Sequence, residues 1–351
     1  MRLYRDGMRR TRNLMLAGLV LLGLAAAPQA GHAWQLADPW PADGATLAIR
    51  GTPVTFPSSS PFTPRDAPTA EATAAIGTLY LPPEREAPPR SLPAAILLHG
   101  AGGVLAAREH RYARQLAAMG AAALVIDVFG ARRGRGTGFT ERLLEITESM
   151  AMADAYAGLR FLRRRPEIDP ERVALVGFSY GAMATMYALS ARVAALMAPE
   201  GERFAAHAAF YGPCIADFAD PRTTGAPLLM LYGTGDALID PARCGAFAAE
   251  ARRGGSAVEV IAYPDALHQW DGGQPPRLIG RLLNGCRLRV GADGGVEDLR
   301  SGLPMSGPLL RRAILALCVA DEPYRIGADE AVRAASNRDL GRFLDRVFAP
   351  R

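Results

Sequence analysis

Lysine is missing from this chain: all 40 basic side chains among its 351 residues are arginine. A Walker-type phosphate loop therefore has no lysine to build on. Histidine is scarce, and of the five present only His207 and His268 lie beyond residue 179. Cysteine is limited to Cys214, Cys244, Cys286 and Cys318, with no CxxC pair, so no zinc site of the usual type and no other metal is expected. Positive charge is lacking over most of the chain. Of the net +5, residues 1–33 supply +4 through Arg2, Arg5, Arg9, Arg10 and Arg12 against Asp6, which leaves +1 from Trp34 onward. A near-neutral body offers nucleic acid no electrostatic footprint. No internal repeat or low-complexity tract occurs. What remains, 49% hydrophobic and 21% charged, is a soluble globular composition.

The arginines at the start precede an apolar run, Leu14 to Ala27, then Pro28 and a small-residue end at Gly31-His32-Ala33. A charged head, a short apolar run and a small-residue cleavage site read as an export signal over residues 1–33. The run falls short of the ~20 residues that span a bilayer, so no stable membrane anchor is expected after cleavage. The mature chain is then periplasmic or secreted, by the general secretory route or, through Arg9-Arg10, the twin-arginine route. In that oxidising setting an even number of cysteines reads as two disulfides.

Residues 34–74 are rich in Pro, Ala, Ser and Thr and read as an extended lead-in on the domain surface, with one strand-like piece at 52–56. From residue 75 the signals become regular. Buried strands are expected at 77–81, 94–98, 122–128, 173–176, 205–210, 227–232 and 258–263, where short apolar runs are bounded by Pro and Gly. Helical spacing covers 108–119, 144–164, 182–196, 241–253 and 329–348. This alternation predicts one α/β domain over 75–351, a mostly parallel sheet with helices on both faces. Residues 272–325 are Gly-, Pro- and Arg-rich and read as a C-terminal elaboration beside the catalytic end. Cys214 and Cys244 each follow the carboxyl end of neighbouring strands, and Cys286 and Cys318 bracket the elaboration. The expected pairs are therefore Cys214–Cys244 and Cys286–Cys318.

Gly177-Phe-Ser-Tyr-Gly181 stands between a strand and a helix. A serine on such a turn projects its hydroxyl at the sheet edge, and the glycines let two backbones pass closely. Ser179 is thus the candidate nucleophile, and it needs a base and a group that orients the base. His268 follows the last strand in a loop and suits the base; His207 lies within a strand and suits a structural role. Asp236, in the Gly-rich loop after the strand 227–232, is the favoured acid, ahead of Asp240 and then Asp265. Oxyanion donors are expected from the backbone N–H groups of Ala101, after the His99-Gly100 turn, and Tyr180. Gly100-Ala-Gly-Gly103 fails as a dinucleotide loop because Leu105 stands where a glycine is needed. His99 reads as a loop-holding residue.

Together, the strand with its His99-Gly100 loop, Asp127-Val-Phe-Gly130, the serine elbow, Gly235-Asp236 and Tyr263-Pro264 with His268-Gln-Trp270 resemble the dienelactone hydrolase family of α/β-hydrolases. The resemblance covers roughly 77–270 and the C-terminal helix. It implies an α/β-hydrolase fold and a Ser179–His268–Asp236 triad, with serine where the family's type members carry cysteine. It also implies substrate contacts from Arg132 or Arg133 and from Trp270, while the place of a second carboxylate-gripping arginine is taken by Gly272. The expected activity is hydrolysis of a small carboxylic ester or lactone through an acyl-enzyme, with no cofactor. The alternatives are a peptidase or thioesterase on the same fold, or a non-catalytic binding protein that retains it.

Overall fold

Side chains two apart on a strand share a face, and the run Leu92–Leu98 shows the consequence. Ala94, Ile96 and Leu98 join one buried cluster, and Ala95 and Leu97 join another on the opposite face. A strand buried on both sides belongs inside a parallel sheet. The computed structural model describes residues 36–83, 88–136, 138–280, 283 and 285–349, all within one contact unit, Trp34–Arg351. The expected export signal at 1–33 lies outside the described residues.

The sheet is built from β1 (Thr52–Ser59), β2 (Ala72–Tyr80), β3 (Leu92–Leu98), β4 (Ala122–Ile126), β5 (Ile168–Phe178) and β6 (Ala206–Phe210). After a departure through the short β7 (Ala216–Phe218), it is completed by β8 (Leu228–Gly233) and β9 (Val258–Tyr263). The spatial order is β1-β2-β4-β3-β5-β6-β8-β9. Strands β4 to β9 in this sheet run parallel, and β1 and β2 are antiparallel additions at one edge. Helix α1 (Asp43–Thr46) precedes β1, and α2 (Arg111–Ala118), α3 (Phe139–Glu145), α4 (Glu148–Arg163), α5 (Tyr180–Tyr187), α6 (Ala191–Met197) and α7 (Pro241–Arg253) connect the strands. Two more, α8 (Pro308–Cys318) and α9 (Glu330–Phe348), follow the last sheet strand. Side chains of α4 to α8 pack on one face, and those of α2 and α9 on the other. This is the α/β-hydrolase architecture.

Two stretches differ from the expectation. The lead-in is no surface strap. Residues 52–59 form a full edge strand, Phe56 stacks on Phe161 at 5.1 Å, and Leu36 and Trp40 are buried against α2 and α9. Pro53 and Pro57 masked the strand pattern, and an edge position is where strand prolines are tolerated. The expected boundary at 74/75 falls inside β2.

The elaboration is packed into the main core. Strand β10 (Arg277–Ile279) precedes a hairpin of β11 (Leu288–Val290) and β12 (Val296–Asp298), and β11 pairs in parallel with β7. Strand β13 (Tyr324–Ile326) pairs with β10. Leu288, Val290, Met305 and Ile314 are buried in the cluster that holds α4 and α5. The disulfides join Cys214 to Cys244 and Cys286 to Cys318, so the second closes the elaboration between its first coil and the end of α8.

Candidate active site

The backbone must turn sharply where β5 becomes α5. Ser179 sits there at φ 52° and ψ −109°, a left-handed region that costs an ordinary residue on the order of 1–3 kcal/mol. The glycines on either side make the turn sterically possible. A Cβ on Gly177 would lie 2.2 Å from the Gly181 carbonyl oxygen, and one on Gly181 would lie 2.3 Å from that of Leu98. The Ser179 amide donates to the Phe210 carbonyl at 2.9 Å, tying the turn to β6.

The loops after β8 and β9 supply the partners. Ser179 Oγ lies 2.8 Å from His268 Nε2, and His268 Nδ1 lies 2.6 Å from Asp236 Oδ2. Asp236 Oδ1 accepts from the Leu238 amide at 2.9 Å, which holds the carboxylate on its loop. With Nδ1–H donating to Asp236, the lone pair of Nε2 faces the serine hydroxyl. All three side chains are buried. Asp240 is engaged elsewhere, capping α7 by accepting from the Ala242 and Arg243 amides, and Asp265 is exposed on the histidine loop. The Cys214–Cys244 bond ties the start of α7 to the segment after β6, close to the acid loop.

The His99-Gly100-Ala101 turn lies against the serine: a Cβ on Gly100 would stand 3.5 Å from that of Ser179. His99 holds this turn. Its Nδ1–H donates to the Gly100 carbonyl at 2.7 Å, and its Nε2 accepts from the Val128 amide at 3.1 Å. Burial lowers its pKa, as the neutral ring this bonding requires. Among the described residues, neither the Ala101 nor the Tyr180 amide donates to another backbone group. His207 is likewise structural, donating to the Thr185 carbonyl at 3.0 Å, with burial pushing its pKa down to about 4.

Two of the three expected substrate contacts, Arg132 and Trp270, are engaged elsewhere. Arg132 is buried with all five of its donors engaged, by Asp154, Ser60 and the carbonyls of Val128 and Ser59. An arginine so closed has nothing left for a substrate carboxylate. Arg133 is exposed in the turn that follows. Trp270 is fully buried and donates to Ser336 of α9 at 3.1 Å, so it is a core residue behind His268.

Other residues reach the site without a sequence signal that marked them. Tyr211, at φ 43°, packs its ring edgewise on His268 at 4.8 Å and donates to Asp271 at 2.5 Å. Behind them lie Arg108, paired to Glu109 at 2.7 Å, and Arg333, which donates to the Asp271 carbonyl. Desolvation raises the Asp271 carboxyl. Adjacent charges inside a helical apolar spacing, as at Arg108-Glu109, are the one hint the sequence held. Tyr324 of β13 stands nearly perpendicular to the His268 ring at 6.4 Å. Among the described residues no cluster of metal-ligating side chains occurs and no helix is long and apolar enough to cross a membrane.

Comparison with known sequence families agrees with this architecture. The sequence model of the dienelactone hydrolase family matches residues 78–276, more than half the chain. No curated protein sequence matches it. Similar solved structures include a dienelactone hydrolase-like promiscuous phosphotriesterase from metagenomic libraries, at 21% identity and TM-score 0.44, covering 63% of this chain and 84% of that one. Another is a thermophilic esterase of Thermogutta terrifontis, at 16% identity and TM-score 0.45, covering 64% of this chain and 86% of that one.

Proposed function

The chain belongs to the dienelactone hydrolase family, a family of ester-bond hydrolases, and from that premise we propose that it is an exported serine hydrolase of small carboxylic esters or lactones. The observation that carries this reading is the hydrogen-bonded series Ser179–His268–Asp236 on a strained strand-to-helix turn. His268 takes the Ser179 proton as Oγ attacks the acyl carbon. Asp236 holds the imidazole in the Nδ1–H tautomer and stabilises the imidazolium. The amides of Ala101 and Tyr180 receive the oxyanion. His268 then passes the proton from Nε2 to the departing alcohol, and water, activated by the same ring, releases the acid.

The closed bonding of Arg132, together with Gly272 at the other arginine's place, leaves the exposed Arg133 as the one arginine of the resemblance open to a substrate carboxylate. Two disulfides and the Arg-rich, apolar first 33 residues support an oxidising, exported setting.

The test is labelling with a serine-directed phosphonate followed by peptide mapping. The expected result is a single adduct on the Ser179 peptide, absent in Ser179→Ala, with loss of ester hydrolysis in step. Turnover confined to thioesters or peptides would reassign the substrate class. Absence of label together with absence of acyl turnover would overturn the reading.

A further inference from the structure

The family match ends at residue 276, yet the next strand pair returns to the catalytic end. The end of β13 and the residues that follow it are fastened to the histidine loop. Ile326 bridges His268 in parallel, the Gly327 amide donates to the His268 carbonyl at 3.0 Å, and the Asp329 amide donates to that of Trp270 at 2.8 Å. Alternation along β13 then decides what each side chain does. Ile326 is buried and Arg325 exposed, so Tyr324 shares the inward face with Ile326. Its ring meets that of His268, and burial beside the Asp236 carboxylate raises the phenol's pKa. Ile279 of β10 is the register partner of Tyr324, and residues directly opposite on antiparallel strands present side chains to the same face. Both are partly exposed.

The geometry points to Tyr324, with Ile279 beside it, as the wall that receives the alcohol portion of the ester. This rests on the proposed hydrolase reading and extends it to leaving-group specificity. The chemistry fixes the side. His268 Nε2 must deliver its proton to the leaving oxygen, so the alcohol departs next to the imidazole, whereas the carbonyl oxygen turns toward the Ala101 and Tyr180 amides. Tyr324 flanks the imidazole and belongs to neither amide. An aromatic ring with an aliphatic neighbour selects apolar, preferably aromatic, alcohols through burial and ring packing. The wall comes from the elaboration, so alcohol preference is set by a segment outside the matched family stretch.

The experiment compares phenyl acetate with methyl acetate, which share an acyl group, in the full chain and in Tyr324→Phe, Tyr324→Ala and Ile279→Ala. Tyr324→Ala is expected to lower the phenyl-to-methyl ratio of kcat/KM by about tenfold or more, the scale on which hydrophobic subsites discriminate. Tyr324→Phe is expected to keep the ratio, and Ile279→Ala to lower it less. An unchanged ratio in folded Tyr324→Ala, or a change that follows acyl length in place of the alcohol, would overturn the assignment. If Tyr324→Ala does not fold, Tyr324→Leu carries the same comparison. If the wild-type chain turns over no carboxylic ester, the hydrolase reading has failed on its own. The ratio is then read from the rates at which phosphonates with p-nitrophenol or fluoride as leaving group label Ser179, with the same expected and contrary outcomes.

Discussion

Arg132 with Asp154 and His268 with Asp236 are both basic–acidic pairs sealed from water, with bonds of 2.6 Å in each. Their surroundings differ. Around Arg132 every donor has an acceptor, and Asp154 also accepts from Ser58, so the hydrogen bonding closes on itself between β1, the turn after β4 and α4. His268 passes its second nitrogen on to Ser179, whose hydroxyl stands at the carboxyl end of the sheet. Among the described residues, four of the five non-glycine residues with positive φ, Ser179, Tyr211, Asp265 and Gln269, lie at that end. None lies near Arg132. Burial and pairing are therefore common to scaffold and site. What separates them is an unfinished hydrogen-bond chain on strained backbone.

The two pairs should break differently. Ser179→Ala and His268→Ala are expected to abolish ester hydrolysis, with losses of up to ~10⁶ in kcat because such residues act as a unit, while the fold persists. Denaturant titration beside the kinetics checks both halves, and a collapse of stability with the rate would erase the distinction. Arg132→Met should do the reverse. It strands the Asp154 carboxylate in the interior, at a cost of about 3–5 kcal/mol, and the folded fraction should still turn over. A raised KM at unchanged stability would instead return Arg132 to the substrate.

The same contrast explains what was legible in the sequence. The parallel strands stood out because runs such as Ala94–Leu98 and Val173–Val176 are apolar on both faces. Ser179, Asp236 and His268 stood out because glycines and loop positions follow the chemistry's geometric demands. Arg132 and Trp270 did not sort correctly, since only three-dimensional partners tell a closed arginine from an open one. The stretch 182–196 reads as one helix, yet Ser190 caps a new helix, α6, and splits it from α5. Three-residue strands such as β10 and β13 carry too few positions for a period to show, which is why Tyr324 had no signal.

His207 differs from the site in the opposite sense: it is buried without a charged partner. Its folded pKa, about 4, lies below the ordinary value of 6.5 because burial disfavours the charged ring. A depressed pKa means that its contribution is present above pH 6.5 and is lost as pH falls toward 4, by at most about 3 kcal/mol. His207→Gln should flatten the acid slope in denaturant titrations, with His99 and His110, also lowered by burial, keeping part of it. An identical slope in the variant would remove His207 from the account. The smallest effect belongs to Asp240. As the cap of α7 its change to Ala should cost about 1 kcal/mol and leave turnover per folded molecule nearly intact. A crippled rate would make Asp240 the acid in place of Asp236.

The most direct measurement is mass spectrometry of the intact chain and its peptides, quenched during turnover of a slowly deacylated ester. One acyl group is expected on the Ser179 peptide, appearing with release of the alcohol and absent from Ser179→Ala. Steady hydrolysis with an unmodified Ser179 peptide, or an acyl group carried by another residue, would contradict it.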